Sequence, residues 1–310
     1  LLGAALTRVG SELLPIDWGA ISPLRLKAAL VAEGVYSGMH RSRRRGAGVE
    51  FGGQRPYVPG DDLRFLDRRS LMRHDRLMLR QFETETERAV WICVDASASM
   101  AYRSPEAPGA KLAYAALLGA ALTRVAIAGQ DPVGLVWLGG HKLEDVGSAF
   151  GSAAFERIVS RLERATASGD LSEDLETVHR SVRVLARRSG RGSVVVLFSD
   201  LLDLPADGLE PMVALASGPR ALVVVQVLDP RERDLSFRGK VRLRPIEGKG
   251  VVVTDADVVR KAYRERLEEH VGAFRRRLEN DGGRLVRCCS TDEPVTVVRS
   301  ILEAVLEARR

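Results

Sequence analysis

Three oxygen-bearing side chains stand at alternate positions directly after an apolar stretch, since Asp95, Ser97 and Ser99 follow residues 89–94. An unbroken apolar run with β-branched and aromatic residues is typical of a strand covered on both faces, as in a parallel sheet. Ligands of open α/β sheets bind beyond the carboxyl ends of such strands. One carboxylate and two hydroxyls are oxygen donors of the kind that Mg²⁺ prefers, with water completing its shell. The spacing therefore predicts a site for Mg²⁺ or Mn²⁺, and the alternative is that Asp95 or Ser97 caps the next helix.

A second buried run ends in an acid in the same way, because residues 193–199 lead directly into Asp200. Parallel strands present their carboxyl ends at the same end of a sheet, so Asp95 and Asp200 are expected to lie close together. A third run, residues 221–228, ends at Asp229 and Pro230. There a turn is the simpler interpretation, since an Asp-Pro pair often begins one. The repeated ending therefore predicts two carboxylates, Asp95 and Asp200, at one edge of the sheet.

The pattern at positions 95, 97 and 99 resembles the metal-ion-dependent adhesion site of von Willebrand factor A domains. Upstream, Arg-Pro-Tyr-Val-Pro-Gly-Asp-Asp-Leu-Arg at 55–64, Leu-Asp at 66–67, and the segments 76–83 and 85–87 are similar to the signature of a bacterial family, domain of unknown function fifty-eight. One departure is Leu-Asp-Arg at 66–68, where the family usually has Ile-Asp-Trp. The resemblance runs from about residue 40 to the C-terminus.

The resemblance implies a von Willebrand A-like fold in which Asp200 joins Asp95, Ser97 and Ser99 around the metal. It implies a metal-ion-dependent protein-binding module, in which an acidic residue of another protein completes the coordination of the ion. The family is associated with MoxR-type AAA+ ATPases. An adaptor role in chaperone-like assembly or maturation, with such an ATPase and an unknown client protein as partners, is therefore the expected function.

The resemblance also exposes a weak point of the predicted site. Von Willebrand sites with full affinity take a third hydroxyl from a threonine in a Gly-Thr-Asp-Leu-like phrase, and here residues 168–171 read Ser-Gly-Asp-Leu. Gly169 thus stands at the threonine's place and offers no side-chain oxygen. Ser168, Asp170 or a water molecule are the possible replacements. We expect weak metal binding, in the range of other low-affinity oxygen sites, and partner binding that depends on metal only partly.

The elements that must position these residues alternate between strands and helices after residue 85, which predicts an α/β fold with a doubly wound, mostly parallel sheet and helices on both faces. Residues 85–310 are expected to form this domain, with an inserted hairpin near 231–255. Residues 1–84 are expected to form a helical and irregular extension packed on it. The predicted elements are helices around 6–14 and over 23–35, 110–128, 155–162, 171–185, 259–278 and 295–306, with strands over 76–82, 89–94, 133–138, 143–146, 193–199, 221–228, 241–243, 251–253 and 285–289.

The charge, the cysteines and the apolar stretches of the chain bear on its partners and its location. The net charge is +6, but 41 of the 47 basic residues are arginines spread along the chain, and none of the known nucleic-acid-reading motifs occurs. We therefore expect no nucleic-acid partner. The three cysteines form no disulfide or metal-binding pattern, so a reducing, cytoplasmic location is expected. The longest apolar stretch, residues 110–128, is interrupted by Lys111, Thr123 and Arg124, so stable membrane insertion is not expected.

Two alternatives to a binding module remain open from the residues. A magnesium-dependent phosphoryl-transfer enzyme also uses aspartates at strand ends. Phosphatases of the haloacid-dehalogenase type, however, need a second carboxylate two positions after the nucleophile, where this chain has Ser97, and no Walker or HExxH motif is present. We therefore expect a protein that is not an enzyme. The other alternative is a regulatory anion-binding protein, which would use the basic cluster 40–45 and the turn 59–64.

Overall fold

The computed structural model describes residues 24–39, 51–56, 78–82, 89–171, 173–202, 206–244, 246 and 251–309. In chain order, the strands within these residues are β1 (Phe51–Pro56), β2 (Met78–Phe82), β3 (Val90–Asp95), β4 (Val133–Leu138), β5 (Val146–Ala149), β6 (Val194–Ser199), β7 (Ala221–Leu228), β8 (Lys240–Leu243), β9 (Val252–Asp255) and β10 (Arg284–Cys289). The helices are α1 (Leu24–Met39), α2 (Lys111–Ala128), α3 (Gly151–Glu163), α4 (Leu175–Arg188), α5 (Ala206–Ala216), α6 (Pro230–Asp234), α7 (Ala256–Asn280) and α8 (Pro294–Ala308).

The central sheet has six strands in the order β10-β7-β6-β3-β4-β5. All neighbouring strands run parallel except β5, which pairs antiparallel with β4. The four inner strands are buried along almost their whole length, because helices cover both faces of the sheet. The predicted doubly wound, mostly parallel sheet is confirmed. Since β3, β4, β6 and β7 are parallel, their last residues and the loops that follow lie together, and we call this region the carboxyl end of the sheet.

Two apolar clusters fill the two faces of the sheet. Helices α1, α2, α3 and α8 pack on one face, whereas α4, α5 and α7 contribute to the cluster on the other. Helix α1 is attached to this core by polar contacts as well: Tyr36 donates to the carbonyl of Val125 at 3.1 Å, and Arg299 donates to the carbonyl of Gly34 at 2.6 Å. The predicted helix over 23–35 is thus confirmed as α1, and it packs on the core as expected.

Helix α2 is the most deeply buried helix-forming stretch identified from the sequence. Among the described residues it alone is long and apolar enough to cross a membrane by length and composition, with a mean hydropathy of 1.4 over 18 residues. However, 72% of that window is buried within the fold, which is also what a core helix looks like. Its apolar composition is explained by its position against β3 and between α1 and α3.

Two predictions outside the inner strands were wrong in detail. The stretch around 49–56 was expected to be irregular, yet β1 forms by pairing antiparallel with β2. The register shifts between Phe51 and Gln54, so the two glycines there lie at an irregularity of the pairing, a place where glycine is often found within a strand. The short strand expected at 143–146 is instead β5, a few residues later, because Glu144 and Asp145 accept hydrogen bonds from Trp137 and turn the chain first.

Some of the remaining predictions concern described residues, and others do not. Strands β8 and β9 pair antiparallel, as expected for 241–243 and 251–253, whereas the insertion of this hairpin into the domain stays a prediction. The helical pattern around 6–14, the basic cluster 40–45 and the turn 59–64 lie outside the described residues. The division of the chain at residue 85 stays a prediction.

Candidate functional site at the carboxyl end of the sheet

The carboxyl end of the sheet brings the three predicted ligands after β3 together. Asp95 is the last residue of β3, and a short 3₁₀ helix, Ala98–Ala101, begins directly after Ser97. The backbone N–H of Ser97 donates to Oδ1 of Asp95 at 2.8 Å, and the hydroxyl oxygens of Ser97 and Ser99 are 3.1 Å apart. All three residues are buried. Although Ser97 occupies the cap position of the 3₁₀ helix, its side chain makes no capping hydrogen bond, so its hydroxyl is directed to Ser99 instead.

The end of β6 joins this arrangement through two consecutive residues. Ser199 donates its hydroxyl hydrogen to Oδ2 of Asp95 at 2.6 Å, which ties the end of β6 to the end of β3. Asp200 follows and is only 2% exposed. Its Oδ1 accepts a hydrogen bond from the backbone N–H of Leu202 at 3.1 Å. The structure therefore places Asp95 and Asp200 at the same end of the sheet, as the sequence predicted.

A buried lysine occupies the other oxygen of Asp200. Lys111, the first residue of α2, is fully buried, and its Nζ lies 2.6 Å from Oδ2 of Asp200 and 2.6 Å from Oε1 of Glu232. Glu232 lies in α6, and its second oxygen accepts from the backbone N–H of Asp229 at 3.0 Å. Asp229 in turn caps α6, which confirms that the Asp-Pro pair initiates a local turn structure. Lys111 thus connects α2, the end of β6 and α6.

Burial and neighbouring charges shift the pKa values of Asp95 and Lys111. Burial raises the pKa of Asp95 to about 7, and the nearby charge of Asp200 adds to this, whereas the hydrogen bonds from Ser199 and Ser97 oppose it. Burial by itself lowers the pKa of Lys111, but the carboxylates of Asp200 and Glu232 outweigh that effect and the net shift is upward. Lys111 is therefore a fixed positive charge within a cluster of buried carboxylates.

The loop that lacks the expected threonine is held against the Asp95 loop by its backbone. The carbonyl of Gly169 accepts from the N–H of Ala98 at 2.9 Å, and the N–H of Ser168 donates to the carbonyl of Ala96 at 2.8 Å. The hydroxyl of Ser168 accepts a hydrogen bond from the N–H of His141 at 3.0 Å. Ser168, one of the three proposed replacements for the threonine, is thus engaged elsewhere. Gly169 has φ +89°, a conformation that glycine adopts readily and a β-branched residue does not.

These donors fit a divalent ion in part. With bonds of about 2.1 Å, adjacent oxygens of an octahedral Mg²⁺ shell lie about 3.0 Å apart, and the two serine hydroxyls are 3.1 Å apart. The two hydroxyls therefore suit neighbouring positions around one ion, and Asp95, whose Oδ1 accepts from the N–H of Ser97, supplies the carboxylate of the same loop. Asp200 does not fit in the same way, because the ammonium of Lys111 already contacts it. Within the described part of the chain no three His, Cys, Asp or Glu residues form a group that could hold a metal, so an ion here depends on the hydroxyls.

A groove of about 800 Å³ lies beside the Asp95 loop. It is bounded by the loop after β4, by the loop around Gly169 and by the first turns of α4, and Ala98 connects it to the candidate metal ligands. Its rim carries both signs of charge. The charged and titratable lining residues are His141, Lys142, Asp170, Glu173, Asp174 and Arg180.

Sequence reasoning missed three residues of this site: Lys111, Ser199 and Glu232. The sequence did contain an indication for Lys111. A helix that is apolar on nearly every face is buried, so a lysine at its start is buried as well. A buried ammonium requires carboxylate partners nearby. Glu232 could have been found as the acid three residues after Asp229 in a capping box. Ser199 carried no signal of its own, since it reads as the last residue of a buried strand.

The order of the strands, the helices on both faces and the oxygen cluster at their carboxyl end define a von Willebrand A-like α/β protein. The chain matches the family described as "Protein of unknown function DUF58" over residues 53–273 and belongs to that family. Its relatives include "Uncharacterized protein Rv1480" of Mycobacterium tuberculosis and "Uncharacterized protein Mb1516" of Mycobacterium bovis. Each is 30% identical over 238 residues, which cover 75% of this chain and 71% of the relative.

Solved structures with a similar fold include two proteins of Bacteroides. An aerotolerance-related membrane protein of Bacteroides fragilis has a TM-score of 0.44 at 16% identity, and BatB of Bacteroides thetaiotaomicron has 0.43 at 17% identity; both alignments cover 71% of this chain and 98% of the other. The SpRpn10 VWA domain has a TM-score of 0.39 at 10% identity, covering 68% and 94%. Scores this low carry no argument about function. The von Willebrand A-like fold described above suggests a protein-interaction module.

Proposed function

We propose that this chain binds a partner protein at the carboxyl end of its sheet. The observation that supports this proposal is the groove beside Asp95, Ser97 and Ser99, whose rim carries charges of both signs. Such a rim suits a polar segment of another protein, because charged groups on an interface set specificity and orientation. Lys142 and Arg180 supply the positive charge that an acidic segment requires.

The partner we propose is a MoxR-type AAA+ ATPase, acting together with an unidentified client protein. This choice rests on the resemblance of the chain to its family. We place the complex in the cytoplasm, for which the three unpaired cysteines are the support. An adaptor of this kind needs no chemistry of its own. Both oxygens of Asp95 accept hydrogen bonds within the protein and the side chain is buried, which favours a binding role over that of a nucleophile.

Magnesium is expected to bind weakly at the carboxyl end of the sheet. Asp95, Ser97 and Ser99 would hold it, while Asp200 stays with Lys111 and water occupies the remaining positions. When bound, the ion supplies a positive centre that accepts a carboxylate from the partner. Because Gly169 contributes no oxygen, we expect the ion to strengthen partner binding only partly.

The test is a binding assay between the purified chain and a purified MoxR-type ATPase of the same organism, in magnesium and in chelator. We expect Arg180→Glu to weaken binding at least tenfold, because it reverses a charge on the rim of the groove. Arg183→Glu is the matched control, since Arg183 lies one turn further along α4 and does not line the groove. Equal loss in both variants, or none in either, would contradict the proposed surface.

A further inference from the structure

The position of Lys111 is unfavourable for a lysine on two counts. Its side chain is completely buried, and removal of an ammonium from water costs several kcal/mol unless carboxylates surround it. It is also the first residue of α2, where the positive end of the helix dipole repels a cation. A lysine at this position is therefore accounted for by the two carboxylates 2.6 Å from its Nζ.

The two carboxylates belong to different parts of the site. Asp200 is the residue that the von Willebrand pattern assigns to a divalent ion, and it lies at the end of β6. Glu232 reaches Lys111 with one oxygen and the cap of α6 with the other. The ammonium thus holds Asp200 in place and, through Glu232, fixes the start of α6.

We propose that Lys111 is the resident cation of the carboxyl end of the sheet: its ammonium neutralises and positions Asp200 in place of a divalent ion, so that this region is assembled without metal. This inference rests on the proposed function only in treating the carboxyl end of the sheet as a binding surface. In this arrangement Lys111 is a positioning residue. A divalent ion at Asp95, Ser97 and Ser99 is an addition to the structure and does not hold it together.

The first test is thermal unfolding of the isolated chain in chelator and in millimolar Mg²⁺. The wild-type midpoint is expected to shift by less than about 1 °C between the two, because the cation that holds Asp200 is covalently attached. Lys111→Met removes the counter-charge of the buried Asp200 and the half-buried Glu232 and is expected to lower the midpoint on the order of 10 °C in chelator. Mg²⁺ is expected to restore part of this loss. Lys261→Met is the control: this lysine of α7 is exposed, with only a surface ion pair to Glu265 at 3.8 Å, and its loss is expected to leave the midpoint unchanged.

The proposal is overturned if chelator lowers the wild-type midpoint by several degrees. It is also overturned if Mg²⁺ stabilises Lys111→Met no more than it stabilises the wild type. Both measurements use the isolated chain, so they do not depend on whether the ATPase is the partner.

A second test is needed where Lys111→Met does not fold. Mn²⁺ binding is measured by its electron paramagnetic resonance signal in the wild type, Asp95→Asn and Asp200→Asn. If the ammonium of Lys111 neutralises Asp200 in place of a divalent ion, then Asp95→Asn abolishes Mn²⁺ binding. Asp200→Asn then changes the affinity for Mn²⁺ less than about threefold, which is under 1 kcal/mol. Equal loss of Mn²⁺ in both variants would make Asp200 a metal ligand and overturn the assignment.

Discussion

The hydroxyl of Ser199 donates a 2.6 Å hydrogen bond to Oδ2 of Asp95, across the two strands at the centre of the sheet. The same hydroxyl oxygen accepts from the backbone N–H of Leu201 at 3.1 Å. Ser199 is fully buried. One side chain therefore fixes the orientation of the Asp95 carboxylate and the turn of the chain after β6, before any ligand arrives.

Replacement of Ser199 by alanine is expected to lower the free energy of unfolding by about 1–3 kcal/mol, because a buried carboxylate oxygen and a buried N–H lose their partner. Urea unfolding at neutral pH in chelator measures this. Ser300→Ala removes an exposed hydroxyl that donates to its own helix, and it is expected to change stability by less than about 0.5 kcal/mol. Similar values for both variants would show that the Ser199 contact is not structural.

The raised pKa of Asp95 predicts a specific pH dependence. The folded carboxyl group, with a pKa of about 7, binds its proton more tightly than the unfolded one with its value of 3.8. Protonation therefore favours the folded state, and the contribution of Asp95 to stability falls as the pH rises from about 4 to 7 and is constant above. In chelator, Asp95→Asn is expected to gain stability relative to the wild type between pH 5 and pH 8, on the order of 2 kcal/mol.

Asp257→Asn provides a control of opposite sign. Hydrogen bonds from the N–H of Gly239 and from Arg260 lower the pKa of Asp257, so its contribution is present above its unfolded pKa and is lost as the pH falls. Asp257→Asn is thus expected to be less stable than the wild type above the unfolded pKa of the aspartate, and the difference is expected to shrink as the pH falls below that value. An Asp95→Asn variant whose stability follows the wild type at every pH from 5 to 8 would exclude a raised pKa.

Gly169→Thr would restore the threonine of full-affinity von Willebrand sites, but the backbone at this position opposes it. With φ +89°, a β-branched residue is strained, and we expect a loss of about 1–3 kcal/mol without a gain in magnesium affinity. Gly147→Thr is the matched control, because Gly147 lies in β5 with open space around it and an ordinary strand conformation. Calorimetric titration with Mg²⁺ and urea unfolding of both variants measure the two effects. Tighter magnesium binding by Gly169→Thr would show that the loop adapts.

The contact between Trp91 and Gly134 limits which side chains can occupy these two positions in the middle of the sheet. The two residues are paired in register on β3 and β4, and a Cβ on Gly134 would collide with the indole ring. Gly134→Ala is expected to cost about 1–3 kcal/mol through overpacking. Trp91→Leu combined with Gly134→Ala should cost less than the sum of the two single changes, by at least about 0.5 kcal/mol. Additive losses in unfolding experiments would mean that the two side chains do not share this space.

The sequence was sufficient to predict the sheet and the placement of Asp95 and Asp200 at one end of it, because buried parallel strands appear as continuous apolar runs that stop at a polar residue. It was insufficient for Lys111, since its two carboxylates lie 89 and 121 residues away and no periodic pattern links them. Strand β1 and the boundaries of β5 were missed for a related reason. Strand ends depend on pairing, bulges and single hydrogen bonds, which composition does not encode.

The antiparallel strand β5 has a consequence for how other chains can approach. It spans only four residues, and its pairing with β4 shifts in register, so the sheet stops there with a short, irregular row of unpaired backbone groups. A further strand can form few backbone hydrogen bonds at this edge, which disfavours edge-to-edge pairing there. Recognition through this side of the molecule therefore depends on side chains and loops and not on continuation of the backbone ladder, and it can be changed by single substitutions.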